Sequence, residues 1–452
     1  MAKLSSSSLK FTVQRCEPEL VCPAKPTPRE YKLLSDIDDQ ESLQFQFPII
    51  QFYHHSLSMQ GKDPVKVIRE ALAKALVFYY PYAGRLWEGH TGKLMVDCTG
   101  EGILFIEADA DVTLDEIASD ALQPPFPCFD ELLYEVPGSD GMLNCPLMLI
   151  QITRLKCGGF IFALRMNHVI SDATGLAQFM STVADMARGC ASMPSIPPVW
   201  ERHLLDANDP PRVTCKHNEY DEVEEGDHEA FLSDNMVERS FFFGGDEISS
   251  LYNLLPLHLR RCTKFELLTA SLWRCRTFAL NLNPNEEVRL MCIVNVRSKF
   301  NPPLPSGYYG NAFVFPVAKT TAGQLCRNPL EYAVELVKEA KASVTGEYVK
   351  SVASLMVINV KRLKFPMRGS YLISDVRHMG FRDLDFGWGK AEFGGLAKAI
   401  GPISFIISAK DKKGEVGALV PVCLPAPAME RFAKELEKML MHPTYESQPN
   451  FI

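Results

Sequence analysis

Phe160-Ile161-Phe162-Ala163-Leu164-Arg165-Met166-Asn167-His168-Val169-Ile170-Ser171-Asp172 is the stretch on which the reading of this chain turns. Its first five residues are apolar on both faces, the pattern of a strand lying deep in a sheet. Gly158-Gly159 precede it, so residues 147–155 and 160–166 read as a hairpin. A polar segment, 167–172, then breaks the apolar run. Leu176, Phe179, Met180 and Val183 follow at helical spacing. His168 therefore falls on a strand-to-helix connection, where a rigid scaffold commonly presents a reactive side chain.

A neutral imidazole in such a place can take a proton from a hydroxyl and return it to a leaving group. Taken alone, a histidine after a buried strand is more often a satisfied structural one. Asp172 also has two readings. It could orient the imidazole as in a hydrolase triad, or it could cap the following helix and hold the loop through an ion pair. Its position immediately before a helical run favours the second. Far downstream lies Asp385-Phe386-Gly387-Trp388-Gly389. Its aromatic-glycine alternation suits close packing against neighbouring backbone. A salt bridge to a core arginine suits Asp385 better than catalysis, because a lone buried charge costs several kcal/mol.

Outward from these motifs, residues 44–53 alternate as a half-buried strand. Asp63-Pro64 then opens a helix carrying Val65, Ile68, Leu72 and Leu76. Residues 93–98 and 103–108 read as a strand pair turning at Thr99, Gly100 and Gly102. Prolines 194, 197, 198, 210 and 211 and an acidic run at 221–229 mark a long crossover, the acidic run reading as a solvated loop. Beyond it, 266–280, 330–344 and 428–441 read as helices and 288–296, 311–316, 403–407 and 418–424 as strands. There is no fixed-period repeat. The alternation implies an α/β chain of two units joined by the crossover.

The 452 residues are too many for one ordinary core. A net charge of -8 argues against a nucleic-acid binder. Residues 1–12 are polar and serine-rich, without the apolar core of a secretory signal. No apolar run approaches the ~20 residues needed to span a bilayer. The 13 cysteines show neither C-x-x-C pairs nor zinc spacing, so no metal is expected and the thiols read as free. The expected setting is a reducing, cytoplasmic one; the terminal Asn450-Phe451-Ile452 is not an S-K-L type peroxisomal address. No G-x-S-x-G elbow, Walker loop, G-x-G-x-x-G or H-E-x-x-H occurs, which removes the usual signatures of serine hydrolases, nucleotidases, dinucleotide oxidoreductases and zinc proteases.

In this order, H-x-x-x-D at His168 and Asp172 and D-F-G-W-G at Asp385–Gly389 resemble the BAHD acyltransferases of plants. The likeness covers nearly the whole chain. Pro23-Ala24-Lys25-Pro26-Thr27-Pro28, Leu34-Ser35-Asp36-Ile37-Asp38-Asp39-Gln40, residues 122–135 and residues 302–312 resemble a subgroup that makes volatile and benzoyl esters. The resemblance implies two chloramphenicol-acetyltransferase-like α/β domains with mixed sheets and a channel between them: 1–193 with the histidine motif, 194–230 as crossover, 231–452 with D-F-G-W-G. The segment at about 385–411 is expected against the N-terminal sheet.

The resemblance further implies acyl-CoA as co-substrate, no permanent cofactor, a small alcohol as acceptor, no nucleic-acid or membrane partner, and a monomer. His168 becomes the general base and Asp172 a structural residue turned away from the channel. Asp385, with Trp388 and Gly389, becomes a structural element, and the N-x-R element Asn295-Val296-Arg297 implies an Asp385–Arg297 pair. Thr263, Lys264, Ala312 and Phe313 are expected along the cofactor, and Ser374 in the acceptor pocket as an oxyanion donor. Two departures stand out. Ala173 replaces the glycine usual after the motif aspartate, so a plain helix start is expected there. Residues 359–368 carry Lys361, Arg362 and Lys364, which either meet the coenzyme's phosphates or, as the favoured reading has it, lie in a solvated loop. The implied reaction is benzoyl transfer from benzoyl-CoA to benzyl alcohol. Its rivals are acetyl transfer to medium-chain alcohols, amide formation on an amine, and a non-catalytic acyl-CoA-binding role.

Overall fold

The computed structural model describes residues 9–118, 122–220, 235–359 and 369–441. The acidic run 221–229, the basic residues Lys361, Arg362 and Lys364, and the terminal Asn450-Phe451-Ile452 lie outside the described residues. Two mixed sheets dominate. The first has the strand order Val13–Arg15, Ile103–Ala110, Met148–Leu155, Phe160–Asn167, Gln46–Tyr53, Phe393–Leu396. The second runs Met236–Phe243, Val416–Pro425, Ile403–Lys410, Ser370–Asp375, Glu287–Cys292, Val317–Thr321. One apolar core packs the first sheet on the helices Pro64–Ala75 and Ala173–Ala187 and continues onto Met291, Leu372, Phe405, Ile407 and Leu419 of the second sheet; another packs the second sheet on Lys264–Leu280, Leu330–Ala342 and Ala426–Met441.

The expected hairpin is present. Met148–Leu155 and Phe160–Asn167 pair antiparallel, and every residue of the second strand is buried. A side chain at Gly159 would sit 2.4 Å from the Tyr53 carbonyl oxygen, so only glycine lets the turn lie this close to the neighbouring strand.

One expected pairing fails. Leu94–Asp97 and Ile103–Ala110 do not pair with each other. Leu94–Asp97 joins Tyr31–Leu33 and Arg85–Glu88 in a separate small sheet, while Ile103–Ala110 pairs in parallel with Met148–Leu155 in the large one. The turn residues between them redirect the chain rather than close a hairpin: Gly102, at φ +105°, lies against the Val21 backbone. Within 385–411 the chain divides its loyalty. Phe393–Leu396 pairs antiparallel with Gln46–Tyr53 in the first sheet, and Ile403–Lys410 pairs in the second. Among the described residues, no helix is long and apolar enough to cross a membrane.

Candidate active site

His168 leaves the end of its strand in a single 3-10 turn, His168–Ile170, with Asn167 accepting from the Val169 N–H at 3.2 Å. The His168 N–H donates to the Phe45 carbonyl (2.9 Å). Its ring packs among Phe45, Phe47 and Phe313, with centroids 5.2, 4.8 and 5.7 Å away. The ring lines a cavity of about 180 Å³ whose other walls include Ile293, Phe315, Leu372, Met379, Leu396, Ile403 and Phe405. Side chains from both sheets therefore enclose it.

The tautomer of His168 follows from its neighbour. Asn311 Nδ2 donates to Asp38 Oδ1 and to the His168 carbonyl oxygen, both at 2.8 Å. Both partners are acceptors, which fixes the amide with its oxygen toward the imidazole. His168 Nδ1, 3.1 Å from Asn311 Oδ1, must then carry the hydrogen and donate it. Nε2 keeps its lone pair and has no partner among the described residues. Burial pulls the imidazole pKa below the ordinary 6.5, against the Asn311 bond and the nearby Asp172 charge, which favour the proton. The ring is thus neutral at pH 7. The expected pH profile of kcat/KM has its acid limb below pH 6.5, with a plateau above. A limb centred above 6.5 would assign the titration to another group. Protonation being easier in the unfolded chain, acidification through pH 6.5 also works against folding.

Behind Asn311 stands a buried ion pair absent from the sequence reading. Asp38 accepts from Arg202 Nη1 (2.8 Å), from the Ser35 hydroxyl (2.6 Å) and from the Asn311 N–H (2.9 Å). Arg202 also donates to the Ile170 carbonyl at 2.7 Å and stacks over the Trp200 ring. Asp38 lies in the stretch 34–40 and Arg202 in the proline-rich crossover. An arginine beside Trp200 in an otherwise loop-like segment was the available cue.

Asp172 borders the same cavity but makes no hydrogen bond to the imidazole among the described residues. It is the N-cap of Ala173–Ala187, accepting from the Gly175 N–H (2.9 Å), and Ala173 begins the helix without a special turn. Arg297 binds it bidentately, Nη1 to Oδ2 at 2.8 Å and Nη2 to Oδ1 at 2.9 Å. Arg297 Nη2 also donates to the Gly310 carbonyl (2.9 Å), and the Ala312 N–H donates to Asp172 (3.1 Å). Burial alone would raise the Asp172 pKa; the Arg297 charge and these donors outweigh it and hold it below the usual carboxylate value. The glycine this site cannot spare is Gly175, where a side chain would meet the Tyr309 carbonyl oxygen at 2.1 Å.

The expected Asp385–Arg297 pair is therefore corrected. Arg297 is engaged by Asp172 and by the carbonyls of Tyr308 and Gly310. Asp385 instead closes its own turn, Oδ1 accepting from the N–H groups of Gly387 (2.7 Å) and Gly389 (2.8 Å). Those two glycines have φ +114° and +92°, the left-handed region that only glycine enters at little cost. Phe386 stacks on Phe162 and Trp388 meets Phe160 edge-on. The element thus packs near the far end of the histidine strand; six residues separate Phe162 from His168, about 20 Å at ~3.3 Å per residue.

Of the residues expected along the cofactor, Phe313 lines the central cavity, whereas Ala312 is buried behind it with its N–H committed to Asp172. Thr263 and Lys264 line a second cavity of about 510 Å³ with Lys341, Arg377 and His378. Thr263 also caps Lys264–Leu280 in a capping box with Glu266. Ile293, Asn295 and Asp375 border both cavities, so the two adjoin. Ser374 lines the central cavity, and Asp375 beside it is held by Arg377 at 2.7 and 2.9 Å.

A family model described as the Transferase family matches residues 11–439. A benzyl alcohol O-benzoyltransferase of Nicotiana tabacum is 63% identical over 445 residues, covering 97% of this chain and 96% of the relative. The chain belongs to the BAHD family of acyltransferases. The fold of this acyltransferase is also that of vinorine synthase, at a TM-score of 0.73 and 20% identity over 95% of this chain and 98% of that one. It is similar as well to Fusarium graminearum TRI101 complexed with coenzyme A and T-2 mycotoxin, at a TM-score of 0.70 and 15% identity over 90% and 98% of the two chains. At these identities the likeness speaks for the acyltransferase's fold alone.

Proposed function

We propose that the enzyme transfers a benzoyl group from benzoyl-CoA to benzyl alcohol, with His168 as general base. The observation that carries the role of His168 is its tautomer: Nδ1 donates to Asn311, and Nε2 offers a lone pair beside an apolar cavity. The alcohol O–H hydrogen-bonds to Nε2. Its oxygen attacks the thioester carbonyl carbon as the proton passes to Nε2, the C–O bond forms, and the carbonyl becomes an oxyanion. Collapse breaks the C–S bond, and the imidazolium returns the proton to the departing thiolate, leaving ester and free coenzyme A. The Ser374 hydroxyl is assigned as an oxyanion donor on the cavity wall.

The adjoining cavity offers Lys264 to the coenzyme's phosphates, beside Lys341 paired with Glu266 and Arg377 paired with Asp375. The rings of Phe45, Phe47, Phe313, Phe315 and Phe405 suit an aromatic acyl group, and the 63% identity to a benzyl alcohol O-benzoyltransferase supports the same choice. The division into 1–193 and 231–452, with 194–230 as crossover, belongs to this proposal. It is supported by the two separate sheets, with Phe393–Leu396 as the strand of the second half that joins the first sheet.

The test crosses benzoyl-CoA, acetyl-CoA and hexanoyl-CoA with benzyl alcohol, hexanol and benzylamine, with detection of ester, amide and free thiol. Benzoyl-CoA with benzyl alcohol is expected to give the highest kcat/KM. Higher kcat/KM for acetyl-CoA with hexanol overturns the benzoyl assignment, and thiol release without acceptor overturns transfer in favour of hydrolysis.

A further inference from the structure

The central cavity of His168 and the cavity of Lys264 meet at a neck bordered by Ile293, Asn295 and Asp375. A chain that joins an acyl group beside the base to phosphates beside Lys264 passes these three side chains. Asn295 lies in the strand pair Val294–Asn295 and Phe313–Val314, directly opposite Phe313. Opposed residues project from one face of such a pair, with Cβ atoms about 5 Å apart. The Phe313 ring is in turn 5.7 Å from that of His168, so Asn295 stands close to the reacting centre. It is also exposed, and a guest in the neck can reach it.

The two polar side chains of the neck keep hydrogen-bonding capacity of opposite kinds. Asn295 Oδ1 accepts from the Arg297 N–H at 2.9 Å. A backbone N–H can only donate, which fixes the amide with its oxygen toward Arg297. Nδ2 makes no hydrogen bond among the described residues, so its donors are available. Asp375 Oδ1 accepts twice, from the Arg377 N–H (3.2 Å) and Nε (2.9 Å), and Oδ2 accepts once, from Arg377 Nη2 at 2.7 Å. A carboxylate offers about four acceptor sites, which leaves one on Oδ2. Ile293 supplies an apolar side. A donor, an acceptor and an aliphatic wall together complement a secondary amide set between methylene groups.

We infer that Asn295 and Asp375 grip the amide of the coenzyme's cysteamine arm, Asn295 Nδ2 donating to its carbonyl oxygen and Asp375 Oδ2 accepting from its N–H. The inference rests on the acyl-transfer reading above and deepens it. Only a short methylene link separates that amide from the sulfur, so holding the amide fixes how far the thioester advances toward His168 Nε2. The gripping residues are themselves held: Arg377 fixes the Asp375 carboxylate, and Arg297, next but one to Asn295, is bound bidentately by Asp172.

Truncated acyl donors isolate the amide. S-benzoyl-N-acetylcysteamine keeps it, its N-methyl derivative keeps the carbonyl but lacks the N–H, and S-pentyl thiobenzoate has the same chain length in methylenes alone. Each is assayed with benzyl alcohol, beside benzoyl-CoA, in the parent and in Asn295→Asp. That variant keeps an oxygen for the Arg297 N–H and loses the donor. Ratios between donors are read within one preparation, so a partly misfolded sample does not distort them. In the parent, kcat/KM for the acetylcysteamine donor is expected to exceed that for the pentyl donor about tenfold, with the N-methyl donor about threefold below the acetylcysteamine one. In Asn295→Asp the first ratio is expected to fall to about threefold or less. Equal kcat/KM for the acetylcysteamine and pentyl donors in the parent, or a ratio that Asn295→Asp leaves whole, overturns the grip, while ester from benzoyl-CoA keeps the transfer reading intact. An N-methyl donor as good as its parent amide removes Asp375 from it. No ester from benzoyl-CoA in the parent enzyme overturns both readings.

Discussion

His168→Ala is expected to lower kcat by about 10²- to 10⁴-fold, the usual worth of a positioned general base, while the melting transition shifts little. The side chain touches Phe45, Phe47, Phe313 and Asn311 but supports no other contact of the loop. The loop is held by backbone: the His168 N–H on Phe45 and the His168 carbonyl on Asn311 survive truncation. Turnover and thermal denaturation measured on the same preparation check this. Transfer within threefold of the parent rate would remove His168 from the chemistry. Asn311→Leu should act on the same step more weakly, because it frees Nδ1 and lets the ring turn or change tautomer while keeping the base.

Asp172→Asn should do the reverse, with most of its effect on stability. An amide can still cap Gly175, but it leaves the Arg297 guanidinium buried against a neutral group. Breaking one side of such a pair costs about 3–5 kcal/mol. Denaturant titration would read the loss. Adding Arg297→Met to Asp172→Asn is expected to return part of it, since the stranded charge is removed as well. A large fall in kcat from Asp172→Asn with unchanged stability would mean that the carboxylate takes part in the reaction after all.

The sequence carried the local signals well where periodicity and caps decide them. The buried strand before His168, the hairpin glycines, the Asp63-Pro64 helix start and the helical run after Asp172 all rest on contacts a few residues apart. The failures share one cause, dependence on distant partners. Nothing near 93–108 says that its two strands belong to different sheets. Asp385 and Arg297 are each a plausible mate for a core charge, and only the assembled molecule shows that Arg297 meets Asp172 while Asp385 folds onto its own glycine amides. Asp38 and Arg202, 164 positions apart, have no periodic signature at all. Asn311, which sets the tautomer, reads as one more polar residue at a strand edge until its two acceptors are in view.

Phe393–Leu396 has a consequence for how the chain is made. The strand Gln46–Tyr53 leaves the ribosome early and finds one neighbour in Phe160–Asn167, but its other edge waits for Phe393–Leu396. That segment emerges roughly 340 residues later, about 17–70 s at ~5–20 residues per second. For all that time a nascent strand of buried, largely apolar residues presents unpaired amides and carbonyls to its surroundings. Translation speed and chaperone cover across that interval therefore bear on the yield of active enzyme, through a strand of only four residues.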